Sequence, residues 1–378
     1  MKFFLALGMW MLLAQCLPTM ASAQSPNTKS FAQWCKQRKT VAASTRATID
    51  LLLIQAGTQD CQRADARLSR LTKLYFIGTA TNRLRGCIAD RDPDGTEQMR
   101  DLQPLAALTN LQELILRDNQ IVDVSPLAKL TKLTRLELPK NQITNLQPLA
   151  RLTKLTRLDL SENQIGDLKP LAELSKLDEL RLDYNQIASL RSITKLRRLS
   201  SLSASNNRIF TLKYLAGLSR LDTLVLDDNQ ITELNPLTEL KNLTQLSLNR
   251  NQITSIVPLY ALSKLDNLSL TQNQINDVRS LSGLSKLTYL SLGQNQISNI
   301  DQLAALIKLT TLRLDDNQIG KIESLANLDR LTSLTLDRNQ ITDIKPLRGL
   351  KQLTSLSLAN NQVKLQACPV STATRCEF

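Results

Sequence analysis

The sequence predicts an α/β repeat solenoid, in which short coils stack around one parallel sheet and helices close the N-terminal end. Three observations predict it. From Leu111 onward the pattern L-x-x-L-x-L-x-x-N-x-I returns every 22 residues, with asparagines at 119, 141, 163, 185, 207, 229, 251, 273, 295, 317, 339 and 361. Within each unit the L-x-L part alternates as a half-buried strand does, leucines inward and their neighbours outward. The rest continues in steps of three, as in Ile143, Leu146, Leu149 and Leu152, which leaves room for a turn and a short 3₁₀ or extended return, not a long helix.

One such unit buries too few aliphatic side chains to offset the ordering entropy of its own backbone, so the units are expected to share one leucine core. Their strands then form a parallel sheet on the concave side. The asparagine column belongs to this scaffold. Asparagine tolerates the turn that leaves the strand, and its amide satisfies backbone groups of the adjacent coil.

The run LTRLDLSENQI from Leu155 to Ile165, followed by Lys169-Pro170-Leu171-Ala172, resembles the 22-residue class of leucine-rich repeats found in phosphatase-regulator and bacterial internalin-type proteins. The resemblance covers residues 102–365 as twelve repeats and implies a right-handed horseshoe with a concave protein-binding face. The scaffold serves many unrelated partners, so it implies far less about the ligand.

Lys2, the apolar run from Phe3 to Leu13 and Ala21-Ser22-Ala23 read as a signal peptide over residues 1–23, making the protein secreted or periplasmic. A lipoprotein reading would use Cys16, but Gln15 stands where a small residue is wanted. No other run approaches the ~18 apolar residues of a membrane span. Without the leader the net charge of +13 loses Lys2, and five cysteines remain: Cys35, Cys61, Cys87, Cys368 and Cys376.

Residues 24–76 read as a helical cap ending in a degenerate first strand. Ser30 and Thr45 are placed to start two short helices and Gly57 to stop the second, while Trp34 and Leu51 to Ile54 supply apolar surface. Cys35 and Cys61 flank this pair and form the natural bridge; Cys368 and Cys376 close a short loop around Pro369 in a C-terminal cap, residues 366–378. Secreted bacterial repeat proteins with cysteine-bearing ends support both pairings, which leaves Cys87 over. Leu71, Leu74 and Phe76 look like the strand of a zeroth repeat. From Leu71 to Pro104 is 33 residues where 15 are expected, so residues 77–101 hold an insertion of about 18.

Inside the insertion Asp90, Asp92, Asp94 and Gly95, with Asp101 beyond, match the layout of a calcium loop, in which carboxylates converge on a hard cation. Glu97 occupies the place of the usual apolar anchor, and a solvated acidic turn is the other reading. On the strands, the outward columns are charged in the first four repeats and mostly small and polar in repeats five to twelve. Glu113, Arg135, Glu137, Arg157, Asp159, Glu179 and Arg181, with Tyr184 beside them, are therefore the candidate contact for a protein partner. Asp227-Asp228 and Asp315-Asp316 are expected on the same side. A column of Lys or Arg precedes the strand in nine of twelve repeats, and the densest segment holds Arg191, Lys195, Arg197, Arg198, Arg208, Lys213 and Arg220 without an acid. This stripe is either a solubilising column or a site for an anionic surface glycan or acidic protein. Aromatic residues make up 3% of the chain, too few for nucleic-acid stacking platforms.

Catalysis is not expected. The chain has no histidine, which removes Ser/His/Asp and Cys/His sets, and no glycine-rich phosphate loop appears among 11 glycines. Glu137 and Asp159 form a carboxylate pair, but an open sheet has no cleft to exclude water. Ala204 in place of a strand leucine and Ser192-Ile193 in place of Pro-Leu predict looser packing around coils four and five.

Overall fold

The computed structural model describes residues 29–78, 98–364, 368–370 and 375–377. Among the described residues fourteen strands form one open sheet in chain order, each parallel to the next. β1 (Lys73–Ile77) and β2 (Glu113–Arg117) are followed by three-residue strands repeating every 22 residues, from β3 (Arg135–Glu137) to β13 (Ser355–Ser357), and β14 (Arg375–Glu377) closes the row. The central leucine of each repeat strand is buried and pairs with the leucine one coil away, as Leu246 does with Leu268. A coil such as the seventh buries Leu243, Leu246, Leu248, Ile253, Ile256, Leu259 and Leu262 almost completely. One continuous apolar cluster runs from Phe31 to Leu358.

Returns between strands are 3₁₀ helices of three to five residues, such as Ser125–Lys129, usually with proline in the first turn. Proline fits there because its missing N–H has no intrahelical partner in that turn. Arg191–Ile193 is 3₁₀ even without the proline, and Ile193 and Ala204 are fully buried. The irregularity lies one coil later, where residues 213–217 form turns in place of a 3₁₀ helix.

Each ladder asparagine stitches two coils. Asn251 Nδ2 donates to the carbonyls of Leu226 in the preceding coil and of Leu248 and Asn249 in its own, and its Oδ1 accepts the Ile231 N–H. The left-handed turn residue is not the asparagine, contrary to expectation, but the residue before it. Lys140, Glu162, Tyr184, Asn206, Asp228 and Arg250 all have φ between 51° and 57°. The strand must reverse before the amide can point inward, so the preceding residue takes the conformation that L-residues disfavour.

The N-terminal cap has three helices where two were expected: α1 (Phe31–Lys36), α2 (Ala43–Ala56) and α3 (Cys61–Leu68). Ser30 caps α1 in a reciprocal box with Gln33, and Gly57 ends α2 in the left-handed conformation. Thr45 does not start α2. It lies within the helix, where its hydroxyl meets the Asp101 carboxylate while Thr48 donates to the Asp101 carbonyl at 2.7 Å, docking α2 on the first coil. Asp60 caps α3, which Cys61 opens, and the Cys35–Cys61 disulfide joins α3 to α1.

β1 pairs Leu74 with Leu114, forty positions apart instead of 22, which accounts for the 18 inserted residues. The chain is back in register at Met99, buried and donating its N–H to Asn119 Oδ1 as the isoleucines of later coils do. Gly78 at the exit of β1 permits a close approach: a Cβ there would fall 1.8 Å from the Asp118 carbonyl oxygen. At the far end β14, a strand the sequence pattern did not announce, pairs with β13, and the Cys368–Cys376 disulfide ties it to the segment before it.

Candidate functional site

The outward side chains of the first four repeat strands do not stand as separate charges. They form one alternating ladder across the sheet. Lys73 Nζ lies 2.6 Å from Glu113, which also accepts the Tyr75 hydroxyl at 2.6 Å. Arg135 spans Glu113 at 3.9 Å and Glu137 at 2.6 Å; Arg157 spans Glu137 at 3.5 Å and Glu179 at 2.9 Å; Arg181 closes on Glu179 at 2.8 Å. The ladder holds four cations against three carboxylates. Lys73, then the Tyr75 hydroxyl, holds the Glu113 carboxyl below its ordinary pKa, and Glu113 raises that of Lys73. Glu137 raises the Arg135 pKa in the same way. Lys73 and Tyr75 belong to the cap strand, and their column could be found only by assigning β1 its register.

Asp159 and Arg181 lie at the end of the ladder, where they line an open cavity of about 400 Å³ with Tyr184, Glu162, Asp183 and Asn206. Tyr184 is 59% exposed, so its ring stands free beside the charged rungs. The expected concave set is thus brought together, with Asp159 turned to the Ser161 N–H at 3.0 Å. Asp227 and Asp228 are on the expected side, lining the same cavity as Arg181 and Tyr184. They sit in the turn after Thr223–Val225, where Arg250 pairs with Asp228.

Several small polar residues of later coils, Ser203, Ser247, Ser269 and Ser357 among them, are fastenings between neighbours. Asp183 Oδ1 accepts the Ser203 hydroxyl at 2.6 Å and the Ser205 N–H at 2.7 Å, and Asp227, Asn249 and Asp337 repeat this clamp. Asp315 departs from it. Its carboxylate occupies the space beside Gly293, where a Cβ would meet it at 2.8 Å, and burial pushes its pKa up.

The basic segment is distributed around the coil. Arg197, Arg198 and Arg220 occupy the turns that feed the strands; Arg208 lies past the opposite, C-terminal end of the strand. Arg191 and Lys213 are on the return segments, and Lys195 pairs with Glu173 at 2.9 Å. Of the calcium-loop residues, Asp90, Asp92 and Asp94 lie outside the described residues, as do residues 1–23 and Cys87. Asp101 spends one carboxylate oxygen on Thr45 and the other on the Gln103 N–H. Among the described residues no group of three or more His, Cys, Asp or Glu is placed to hold a metal. No described helix is long and apolar enough to cross a membrane.

A parallel sheet of three-residue strands, 3₁₀ returns and an asparagine ladder define a leucine-rich repeat. A model of paired leucine-rich repeats matches residues 109–151, 131–173, 285–327 and 329–367, and a second leucine-rich-repeat model matches 158–257 and 213–305. Internalin InlF of Listeria monocytogenes is 32% identical over 89% of this chain and 94% of its own, with a TM-score of 0.77. Internalin C2 of the same organism is 36% identical over 60% of this chain and 92% of its own, at 0.52. A leucine-rich-repeat protein of Leptospira interrogans is 27% identical over 73% and 74%, at 0.67. No curated protein sequence matches the chain. The chain belongs to the leucine-rich-repeat proteins, a family that commonly mediates protein–protein interaction and is typically non-enzymatic. The Cys35–Cys61 and Cys368–Cys376 disulfides and the internalin neighbours are consistent with an extracellular setting.

Proposed function

We propose that this chain is an exported binding protein that holds a protein partner against the concave strands of its first four repeats. The observation that carries the reading is the ladder from Lys73 to Arg181 with Tyr184 at its end. Its side chains are already fixed by one another, so a partner orders few of them on docking, and that lowers the entropic cost of association. Arg157 and Arg181 remain 39% and 50% exposed, with guanidinium N–H groups left for a partner's carboxylates. Alternating sign at neighbouring rungs gives a pattern that rejects a mismatched partner by like-charge contact. Further along, Ser203, Ser247, Ser269 and Ser357 spend their hydroxyls within the sheet. Export rests on the leader reading of residues 1–23 and on the disulfides, which persist in oxidising compartments.

The test is cross-linking capture from native envelope and medium, using the wild-type chain, a variant carrying Arg135→Glu, Arg157→Glu and Arg181→Glu, and Tyr184→Asn. Asparagine tolerates the left-handed backbone at that position, so the second variant removes the ring without straining the turn. Loss of the same partner from both variants, with unchanged melting of Tyr184→Asn, is the expected result. A partner captured equally by all three proteins places binding on another face.

A further inference from the structure

Charge is sorted between the two edges of the sheet. Eleven successive two-residue turns feed the strands, from Lys132 to Lys351, and every one carries an exposed Lys or Arg. The stripe is unbroken because both turn positions are exposed. Where the second holds Asn242 or Gln352, the first supplies Lys241 or Lys351. Asp329 is the single acid in these turns. Among the described residues none of these cations enters an ion pair. Lys132 and Lys264 instead donate to the neutral side-chain oxygens of Asn110 and Asn242 at 2.6 and 2.8 Å, which orients the ammonium groups without cancelling their charge.

Two nearby carboxylates are turned along the sheet. Asp222 and Asp266, at the strand starts, accept the hydroxyls of Thr244 and Thr288 in the next coil at 3.0 and 2.6 Å. On the opposite edge Arg250 is neutralised by Asp228 and Arg338 by Asp316, while Arg208 stands without an ion pair among the described residues. Of the two sheet edges, the strand-entry edge therefore carries the continuous run of unpaired positive charge.

Parallel strands lie ~4.8 Å apart, so eleven turns make a shallow arc of about 50 Å with one cationic station per rung. We propose that this edge is a track for a linear anionic polysaccharide carrying about one carboxylate or sulfate per sugar. A folded acidic protein presents a patch, whereas this feature is a line one residue wide. Duplex nucleic acid carries a charge every ~1.7 Å of its axis, about three times the density of the line. Flexible lysine and arginine tips absorb small differences in pitch. Each rung contributes through screened attraction, so affinity accumulates with the number of rungs engaged. The site is separate from the concave ladder, and either is testable without the other.

The test measures fluorescence anisotropy of labelled polygalacturonate oligomers of increasing length, across a salt series, with wild-type protein and two charge-matched variants. The edge variant carries Lys176→Glu, Arg198→Glu, Arg220→Glu and Lys286→Glu; the control carries Arg191→Glu, Lys213→Glu, Lys321→Glu and Lys345→Glu on the return segments. Wild-type affinity is expected to rise with oligomer length up to about ten sugars, the length of the track, and to fall steeply with salt as counterions are released. The edge variant loses about tenfold or more at low salt while the control stays within about twofold. Equal losses in both variants, binding that ignores length, or tighter binding of polyglutamate or of phosphatidylserine vesicles at the same salt each overturns the proposal. Unchanged melting of both variants by circular dichroism ties any loss to charge, not to folding.

Discussion

Replacing Asn251 by alanine and by aspartate separates the two halves of the amide's role. Asn251 is 8% exposed, and its Nδ2 serves three carbonyls at 3.0 to 3.2 Å with two hydrogens while Oδ1 accepts the Ile231 N–H at 3.0 Å. Alanine removes these bonds at about 1 kcal/mol each and leaves a buried N–H without an acceptor, so a loss of about 3 to 5 kcal/mol is expected. Aspartate keeps the acceptor but points a second, anionic oxygen at carbonyl oxygens. At neutral pH it should be worse than alanine by about 2 kcal/mol, although it is the closer isostere. That carboxyl would have a raised pKa in the folded state, so the fold takes up a proton that the unfolded chain releases. Its stability deficit therefore grows as pH rises through the window above the unfolded carboxylate pKa of about 4 and shrinks as pH falls toward it. Urea denaturation followed by circular dichroism at pH 7 and pH 4.5 measures all three proteins. Aspartate as stable as wild type, or a deficit that does not change with pH, refutes the assignment of donor and acceptor in the ladder.

Further outcomes follow from the same packing. Because Glu113 titrates below its ordinary pKa, its contribution to docking β1 is present at neutral pH and is lost as pH falls through the lowered folded-state value. Amide exchange in Lys73–Ile77 should quicken in acid, beyond its intrinsic change, in wild type and not in Glu113→Gln. Removing the Cys35–Cys61 bridge, which spans 26 residues, should cost the cap about 3 kcal/mol and show in calorimetry as melting of the cap ahead of the repeats. At Gln272, exposed with φ 58°, glycine should leave stability unchanged or raise it slightly, whereas valine should cost about 1 to 2 kcal/mol; thermal melting ranks the three.

The division between what was legible and what was not follows the range of the interactions. Position in the repeat alone determines that Leu246 is buried, that Gln245 and Ser247 face outward and that Asn251 stitches coils, because a 22-residue period places identical residues in identical surroundings. The same regularity located the charged rungs and the strand of the zeroth repeat. Local chemistry placed Ser30 and Gly57 as caps but erred at Thr45, whose hydroxyl is claimed by Asp101, 56 residues away. The sequence likewise marked asparagine as the turn residue, while the backbone reversal falls one position earlier at Tyr184 and its equivalents. Only the stacked structure decides that Lys73 and Tyr75 both close on Glu113, since the contact depends on how far each side chain reaches across the coils. It alone shows that Ser203 and Ser247 are clamps, that Arg208 stands apart from Arg198, and that Arg375–Glu377 continues the sheet. A repeat specifies each coil's environment from within 22 residues, whereas pairing between side chains depends on which coil lies alongside and on the edge each residue reaches. Those relations arise only when the coils pack.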